Sequence, residues 1–172
     1  MVELKARVNT LDPIKRKIID LKAHHIGTFR HIDVYFEVPN GRLKLREVEG
    51  KNTLELVYYE RKNVAGLKRS EVFILEVQKP AAFKTLLEKV LETSVTVDKL
   101  REVYRHQGTQ IHLDTVKKLG AFVEFERKTP ADQQAIRKNQ QALEGLMKKF
   151  GIRPENLEKL SYSDLIQKCS QK

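Results

Sequence analysis

The sequence predicts an α+β fold, a largely antiparallel sheet with helices packed on it. Three observations carry this reading. Short segments of alternating polarity recur between residues 2 and 127, and such alternation marks strands with one face buried. Most links between them are too short for a parallel crossover, so successive strands run antiparallel. Finally, the stretches near residues 80–92 and 130–150 are each apolar on one side only and need a sheet face to cover.

The first strand covers residues 2–8. A helix follows with Asp12 as its cap, Pro13 at the first helical position, and Ile14, Ile18 and Leu21 on one face. His24 and His25 fall at the end of this helix and read as surface residues, because no third ligand accompanies them. Strands at 30–38, 41–48 and 53–61 are joined by Pro39-Asn40-Gly41 and Glu49-Gly50-Lys51-Asn52, whose residues accept turn dihedrals. Residues 62–69, with Gly66 and Lys68, read as a longer connection to a strand at 70–78. The helix opening at Pro80 carries the stripe Phe83, Leu86, Leu87, Val90 and Leu91. Strands at 95–106, 109–116 and 120–127 complete the set, with Gly108 at a hairpin tip. Thr129-Pro130-Ala131-Asp132 resembles a capped helix start; Ile136, Leu143, Leu146, Met147 and Phe150 then share a face, and Gly151 ends the helix. A short last helix starts at Ser161 with Asp164 three residues on, so helices occupy about 130–169.

A chain of 172 residues suits one compact unit over 1–172 and argues against an enzyme with a separate nucleotide lobe. Charged residues at 33%, with only 8 Gly and 5 Pro, exclude collagen-like and largely disordered classes. No apolar run is long enough to span a bilayer, and Val2-Glu3-Leu4-Lys5 has neither the basic region nor the apolar run of a secretory signal. The expectation is a cytoplasmic protein with no membrane partner. The single Cys169 reads as inert; it permits no internal disulfide or cysteine-rich metal site. The net charge of +10 attracts polyanions. Nucleic acid is not the expected partner, because aromatic residues are 7% with no Trp, too few for stacking platforms along a barrel.

Residues two apart on a strand look the same way. That rule puts Glu3, Lys5 and Arg7 on one face, Arg42, Lys44 and Arg46 on another, and likewise Lys99 with Arg101, His112 with Asp114, and Glu124 with Glu126. Alternating charge is ordinary on a sheet with one face in water. Here, however, the helices can take the leucine-rich side, and the signs segregate by strand. If the sheet curls with these faces inward, it makes a channel of cations and carboxylates that is costly unless a ligand neutralises it. Clustered Arg and Lys match phosphate oxygens. Clustered carboxylates without Cys suit hard divalent cations such as Mg²⁺ or Mn²⁺. Together they describe a polyphosphate site.

Glu3-Leu4-Lys5, Asp33-Val34-Tyr35-Phe36, Gly41-Arg42-Leu43-Lys44-Leu45-Arg46-Glu47, Tyr59 with Arg61, Lys99 with Arg101, Ile111-His112-Leu113-Asp114, Leu119-Gly120-Ala121-Phe122-Val123-Glu124-Phe125-Glu126 and Ser161-Tyr162-Ser163-Asp164-Leu165 resemble the CYTH superfamily, or triphosphate tunnel metalloenzymes. The order and spacing are most similar to its class IV adenylyl cyclase-like branch, from residue 1 to about 166. The resemblance implies a closed eight-stranded antiparallel barrel whose tunnel binds a triphosphate, with a divalent metal, Mg²⁺ or Mn²⁺, as cofactor. It places substrate contacts at Lys5, Arg42, Lys44, Arg46, Arg61, Lys68, Lys99 and Arg101, metal ligands at Glu3, Asp114, Glu124 and Glu126, and catalytic roles at Lys5, Arg46 and Asp114. Two positions depart from the family pattern: Met1 stands where its opening Glu-x-Glu-x-Lys motif has the first glutamate, and Gln110 where relatives commonly carry arginine.

The implied reaction is conversion of ATP to cyclic AMP and pyrophosphate. The alternative is a triphosphatase acting on tripolyphosphate, thiamine triphosphate or a nucleoside triphosphate. A second is a polyphosphate-binding module made catalytically silent by Met1. Lys5 reads as a charge clamp rather than a general base. Arg61 otherwise pairs with Glu55 on its own face. His112 reads as structural, with a phosphate contact as its alternative. Asp33 and Tyr35 read equally as barrel packing and as substrate contacts. The assembly is a monomer or a homodimer.

Overall fold

The computed structural model describes residues 1–78 and 80–170. Eight strands, β1 (Val2–Val8), β2 (His24–Phe36), β3 (Arg42–Val48), β4 (Leu54–Arg61), β5 (Lys68–Val77), β6 (Thr93–His106), β7 (Thr109–Val116) and β8 (Gly120–Arg127), close into an antiparallel barrel in the order β1-β5-β4-β3-β2-β6-β7-β8. Four helices pack on it: α1 (Asp12–Asp20), α2 (Pro80–Val90), α3 (Gln133–Lys149) and α4 (Tyr162–Ser170). Among the described residues no helix is long and apolar enough to cross a membrane.

Strand alternation sorts the two faces. The outward residues Val2, Leu4, Ala6, Ile111, Leu113, Val123 and Phe125 meet Ile14 and Ile18 of α1 and Ile136 and Leu143 of α3 in the main core. Each large apolar side chain buried there contributes roughly 1.5–3 kcal/mol. A second cluster sets Phe83, Leu87 and Leu91 on Val34, Phe36, Leu45 and Leu54. In a third, Tyr162 and Ile166 of α4 pack on Tyr35, Val97, Val116, Leu119 and Phe122. At the β2–β3 turn Gly41 has a φ of +67°, which favours glycine, and a Cβ there would lie 2.6 Å from the Tyr58 hydroxyl unless that side chain moved.

One seam of the barrel is short. β1 and β5 pair only at Val2–Arg69 and Glu3–Lys68. Past that overlap, the stretch following a 3₁₀ turn at Pro154–Asn156 runs along β1, with Leu157 bridged to Ala6 and the Glu158 N–H donating to the Lys5 carbonyl. On the other side of the overlap, Phe73, Ile74 and Leu75 of β5 are exposed.

Several boundaries differ from the sequence reading. β2 begins at His24, not residue 30, so His24 and His25 are strand residues paired with β6, though exposed as expected. An irregularity in register between His25 and Gly27 breaks the period-two pattern that would have revealed them. Lys68 is not in a loop: it opens β5 and is 2% exposed. Leu11, not Asp12, caps α1, without a side-chain bond. Leu86 and Val90 of α2 face solvent, because the curved barrel wall meets only the Phe83, Leu87 and Leu91 stripe. α3 starts at Gln133, with the Asp132 carboxylate accepting the Ala135 N–H at 2.7 Å. At α4 the expected reciprocal cap forms: the Asp164 N–H donates to Ser161 Oγ at 3.1 Å and the Ser161 N–H to Asp164 Oδ2 at 3.0 Å.

Candidate active site: a charged tunnel

The charged faces point inward. A cavity of about 780 Å³ runs through the barrel, lined by Glu3, Lys5, Lys44, Arg46, Arg61, Lys99, Arg101, Glu124 and Glu126, among others. At one end it shares Tyr35 and Arg61 with a wider, polar vestibule of about 1420 Å³ bordered by Asn40, Arg42, Tyr58, Asp164 and Gln167. The strands whose signs are segregated are neighbours, so opposite charges meet across the ladder: Arg101 faces Asp114, and Asp33 faces Arg46.

Asp33, fully buried, organises the first cluster. Its Oδ2 accepts from Lys44 Nζ at 3.0 Å and Lys99 Nζ at 2.7 Å, and its Oδ1 from Arg46 Nε at 2.7 Å. Burial pushes this carboxyl up, but Arg46, Lys44 and Lys99 outweigh it and hold it well below the usual carboxylate range. Burial, with Arg46 adding, lowers Lys44 to about 7. Burial and the nearby Arg46, Lys99 and Arg101 push His31 down to about 2, so it is neutral, and its Nδ1 has no partner.

A second cluster centres on Arg101, which grips Asp114 through two bonds of 2.7 and 2.6 Å and also reaches Glu124 at 2.9 Å. Tyr162 enters the barrel from α4, donates its hydroxyl to Asp114 Oδ2 at 2.8 Å, and sets its ring 4.2 Å from Lys5 Nζ. Lys5 donates to the Leu160 carbonyl at 2.6 Å and Lys68 to the Glu158 carbonyl, so the chain segment that closes the β1 seam also anchors two tunnel lysines. Burial lowers both lysines to about 8. Arg61 pairs with Glu3, while Glu55 lies 3.6 Å from Arg46.

The third cluster is His112, Glu124 and Glu126, with potential ligand atoms all within 4.8 Å of one another. Burial raises the Glu126 carboxyl, and the neighbouring Glu124 adds to the rise. Two carboxylates at such separation, with no thiolate, and a buried His112 Nδ1 that has no hydrogen-bond partner fit a divalent cation.

All eight cations expected at the substrate thus face the tunnel or its mouth, where Arg42 binds Asp164 at 2.9 Å. The four carboxylates expected at a metal do not converge. Glu3 stands opposite Glu126 in the β1–β8 ladder, but its carboxylate is held by Arg61 and lies outside the His112 trio. Asp114 is likewise outside the trio, bonded to Arg101 and Tyr162. Sequence reasoning left Asp33 undecided and gave no role to His31, Tyr162 or Asp164. The Ser161-to-Asp164 spacing marked a helix start, but nothing local shows that this helix feeds a tyrosine into the barrel.

Comparison with known proteins agrees with the geometry. No curated protein matches the chain. Among solved structures it is similar to the PH1012 protein of Pyrococcus horikoshii, with 27% identity and TM-score 0.83 over 95% of this chain and 98% of that one. It shares the fold of a proposed adenylate cyclase of Vibrio parahaemolyticus, at 20% identity, TM-score 0.80 and 95% of each chain. A proposed adenylyl cyclase of Hippeastrum, described as having a dominant triphosphatase activity, superposes with TM-score 0.66 at 17% identity, over 99% of this chain and 96% of that one. The CYTH domain family model matches residues 1–162, and the chain therefore belongs to the CYTH domain family.

Proposed function

We propose that the tunnel clamps the triphosphate of ATP and converts ATP, with a divalent cation, to cyclic AMP and pyrophosphate. One observation carries the triphosphate reading: six buried or half-buried cations, Lys5, Lys44, Arg46, Arg61, Lys99 and Arg101, line the tunnel cavity, with a seventh, Lys68, on the adjoining vestibule. Burying that many positive charges together is unfavourable unless an anion shares them. The vestibule supports a nucleotide over bare tripolyphosphate, since Asn40 and Gln167 offer hydrogen bonds there and Tyr58 an aromatic face.

Glu124 and Glu126 would hold the cation, Mg²⁺ or Mn²⁺, with Glu3 across the ladder from Glu126. When bound, the cation supplies neutralisation of the phosphate oxygens and a lowered pKa for the attacking hydroxyl. The protein does the rest by placement and charge. Lys44, Arg46 and Lys99, held in place by Asp33, offer their remaining N–H groups to phosphate oxygens. Arg101, aligned by Asp114 and Tyr162, and Lys5, over the Tyr162 ring, stabilise charge on the leaving pyrophosphate as the ribose 3′-oxygen, its proton passing to water, bonds to the α-phosphorus and the bond from that phosphorus to the pyrophosphate oxygen breaks. Asp114 is in this scheme a positioning residue for Arg101. Hydrolysis is the second reading, favoured by the tunnel opening into a wide polar vestibule that admits water.

Incubation with ATP, tripolyphosphate or thiamine triphosphate, with Mg²⁺ or Mn²⁺, followed by product identification, tests the proposal. Cyclic AMP with pyrophosphate supports the first reading and free phosphate the second. Glu126→Gln and Arg46→Ala should each abolish turnover with the fold intact; full activity in either variant refutes the assignment of the site.

A further inference from the structure

We propose that His112 is itself a ligand of the divalent cation, through Nδ1, and that with Glu124 and Glu126 it forms a three-donor site selecting Mn²⁺ over Mg²⁺. The inference rests on the metal-dependent reading above and deepens it. His112 is 3% exposed and faces inward from β7, directly opposite Glu124 in the β7–β8 ladder. Its Nε2 lies 3.2 Å from the amide oxygen of Gln110. An amide oxygen only accepts, so this contact is a hydrogen bond when Nε2 carries the ring proton, and that tautomer leaves the lone pair on Nδ1.

That nitrogen is buried with no hydrogen-bond partner, a state that destabilises a protein unless something occupies it. It lies 3.8 Å from Glu124 Oε2. This is too long for a hydrogen bond and within the separation of about 4 Å or less expected for two donors each about 2.1 Å from one ion. Gln110 therefore does for His112 what carbonyls and carboxylates behind metal-bound imidazoles do: it fixes the tautomer and the ring orientation. An arginine at this position could not, having donors and no acceptor. The donor set also speaks to the ion. Mg²⁺ prefers an all-oxygen octahedron that keeps several waters, whereas one imidazole among carboxylates suits a first-row ion that still tolerates oxygen, such as Mn²⁺.

Electron spin-echo envelope modulation on the full chain loaded with Mn²⁺, alone and with tripolyphosphate, tests this directly. Nitrogen-14 modulation from a bound imidazole is expected, replaced by the nitrogen-15 pattern when histidine is isotopically labelled, and lost in His112→Gln. Absence of nitrogen modulation in both wild-type samples overturns the proposal, as does its persistence in His112→Gln. By calorimetry, Mn²⁺ affinity should fall about 10- to 100-fold in His112→Gln and about 10-fold in Gln110→Arg, with Mg²⁺ affinity changed far less. Equal losses for the two ions overturn the selectivity. Glu126→Gln separates the inference from its basis: if it abolishes Mn²⁺ binding while His112→Gln does not, a carboxylate site stands and His112 is no ligand. If neither variant alters binding, the metal-site reading falls as well. The isotope-labelled wild type needs no variant to fold.

Discussion

Raising the pH from 7 to 9 should strip charge from the tunnel lysines of the ligand-free protein and loosen its hold on a triphosphate. Burial brings Lys44 to about 7 and Lys5 and Lys68 to about 8, against 10.5 for an ordinary lysine. A bound polyanion raises all three again, because it favours their charged forms. Binding at pH 8 therefore takes up roughly 0.9 proton at Lys44 and roughly 0.5 at each of the others, about two in all. Linkage converts that uptake into a dissociation constant that rises about 80-fold between pH 7.5 and 8.5. Calorimetry of ATP binding in EDTA, which prevents turnover, in buffers of different ionisation enthalpy measures the uptake. Lys44→Arg, which keeps the charge without titrating, should remove nearly one proton. Heats independent of buffer would refute the reasoning, since the lysines would then be charged before the ligand arrives. The ligand-free protein should respond in the opposite sense. Unfolded lysines keep their protons to about 10.5 while these three release theirs near 7–8; the unfolded chain binds more protons in that window, so stability should rise with pH through it as ATP affinity falls.

Asp33→Ala leaves Lys44, Arg46 and Lys99 without their common carboxylate, and uncompensated buried charge costs about 3–5 kcal/mol. Urea unfolding should show that loss, with tripolyphosphate restoring more stability to the variant than to the wild type; an unchanged midpoint would mean the cluster is hydrated. Tyr162→Phe keeps the ring beside Lys5 but removes the bond to Asp114. It should lower stability by about 1 kcal/mol and reduce turnover without weakening ATP binding in EDTA, whereas wild-type turnover would show that Arg101 needs no such brace. Asp132→Ala removes the cap on Ala135 and should cost about 1 kcal/mol in a thermal or urea melt, with no change in activity.

Much of the site was legible because strand alternation is local. Arg42, Lys44 and Arg46, or Glu124 and Glu126, share a face wherever their strand ends up, and the amphipathic stretches that became α2 and α3 already showed which side of the sheet they would take. The pattern fails only where the backbone breaks its own period, as at the β2 irregularity after His25, or where a strand starts without alternation, as at Lys68.

What no local pattern contains is which charge meets which. Asp33 collects Lys44 from 11 residues away and Lys99 from 66. Glu3 meets Arg61 only because β1 closes on β5, and Tyr162 reaches Asp114 across 48 residues because α4 enters the barrel end. The sequence by itself determined the charged face of these strands, the helices that cover the opposite, apolar face, and hence an interior suited to phosphate. The tertiary structure alone decided that Asp114 serves Arg101, that Glu3 serves Arg61, and that His112 keeps an unshared lone pair beside Glu124. Face depends on the parity of neighbouring residues, whereas partner choice depends on strand order and ring closure, which only the folded chain supplies.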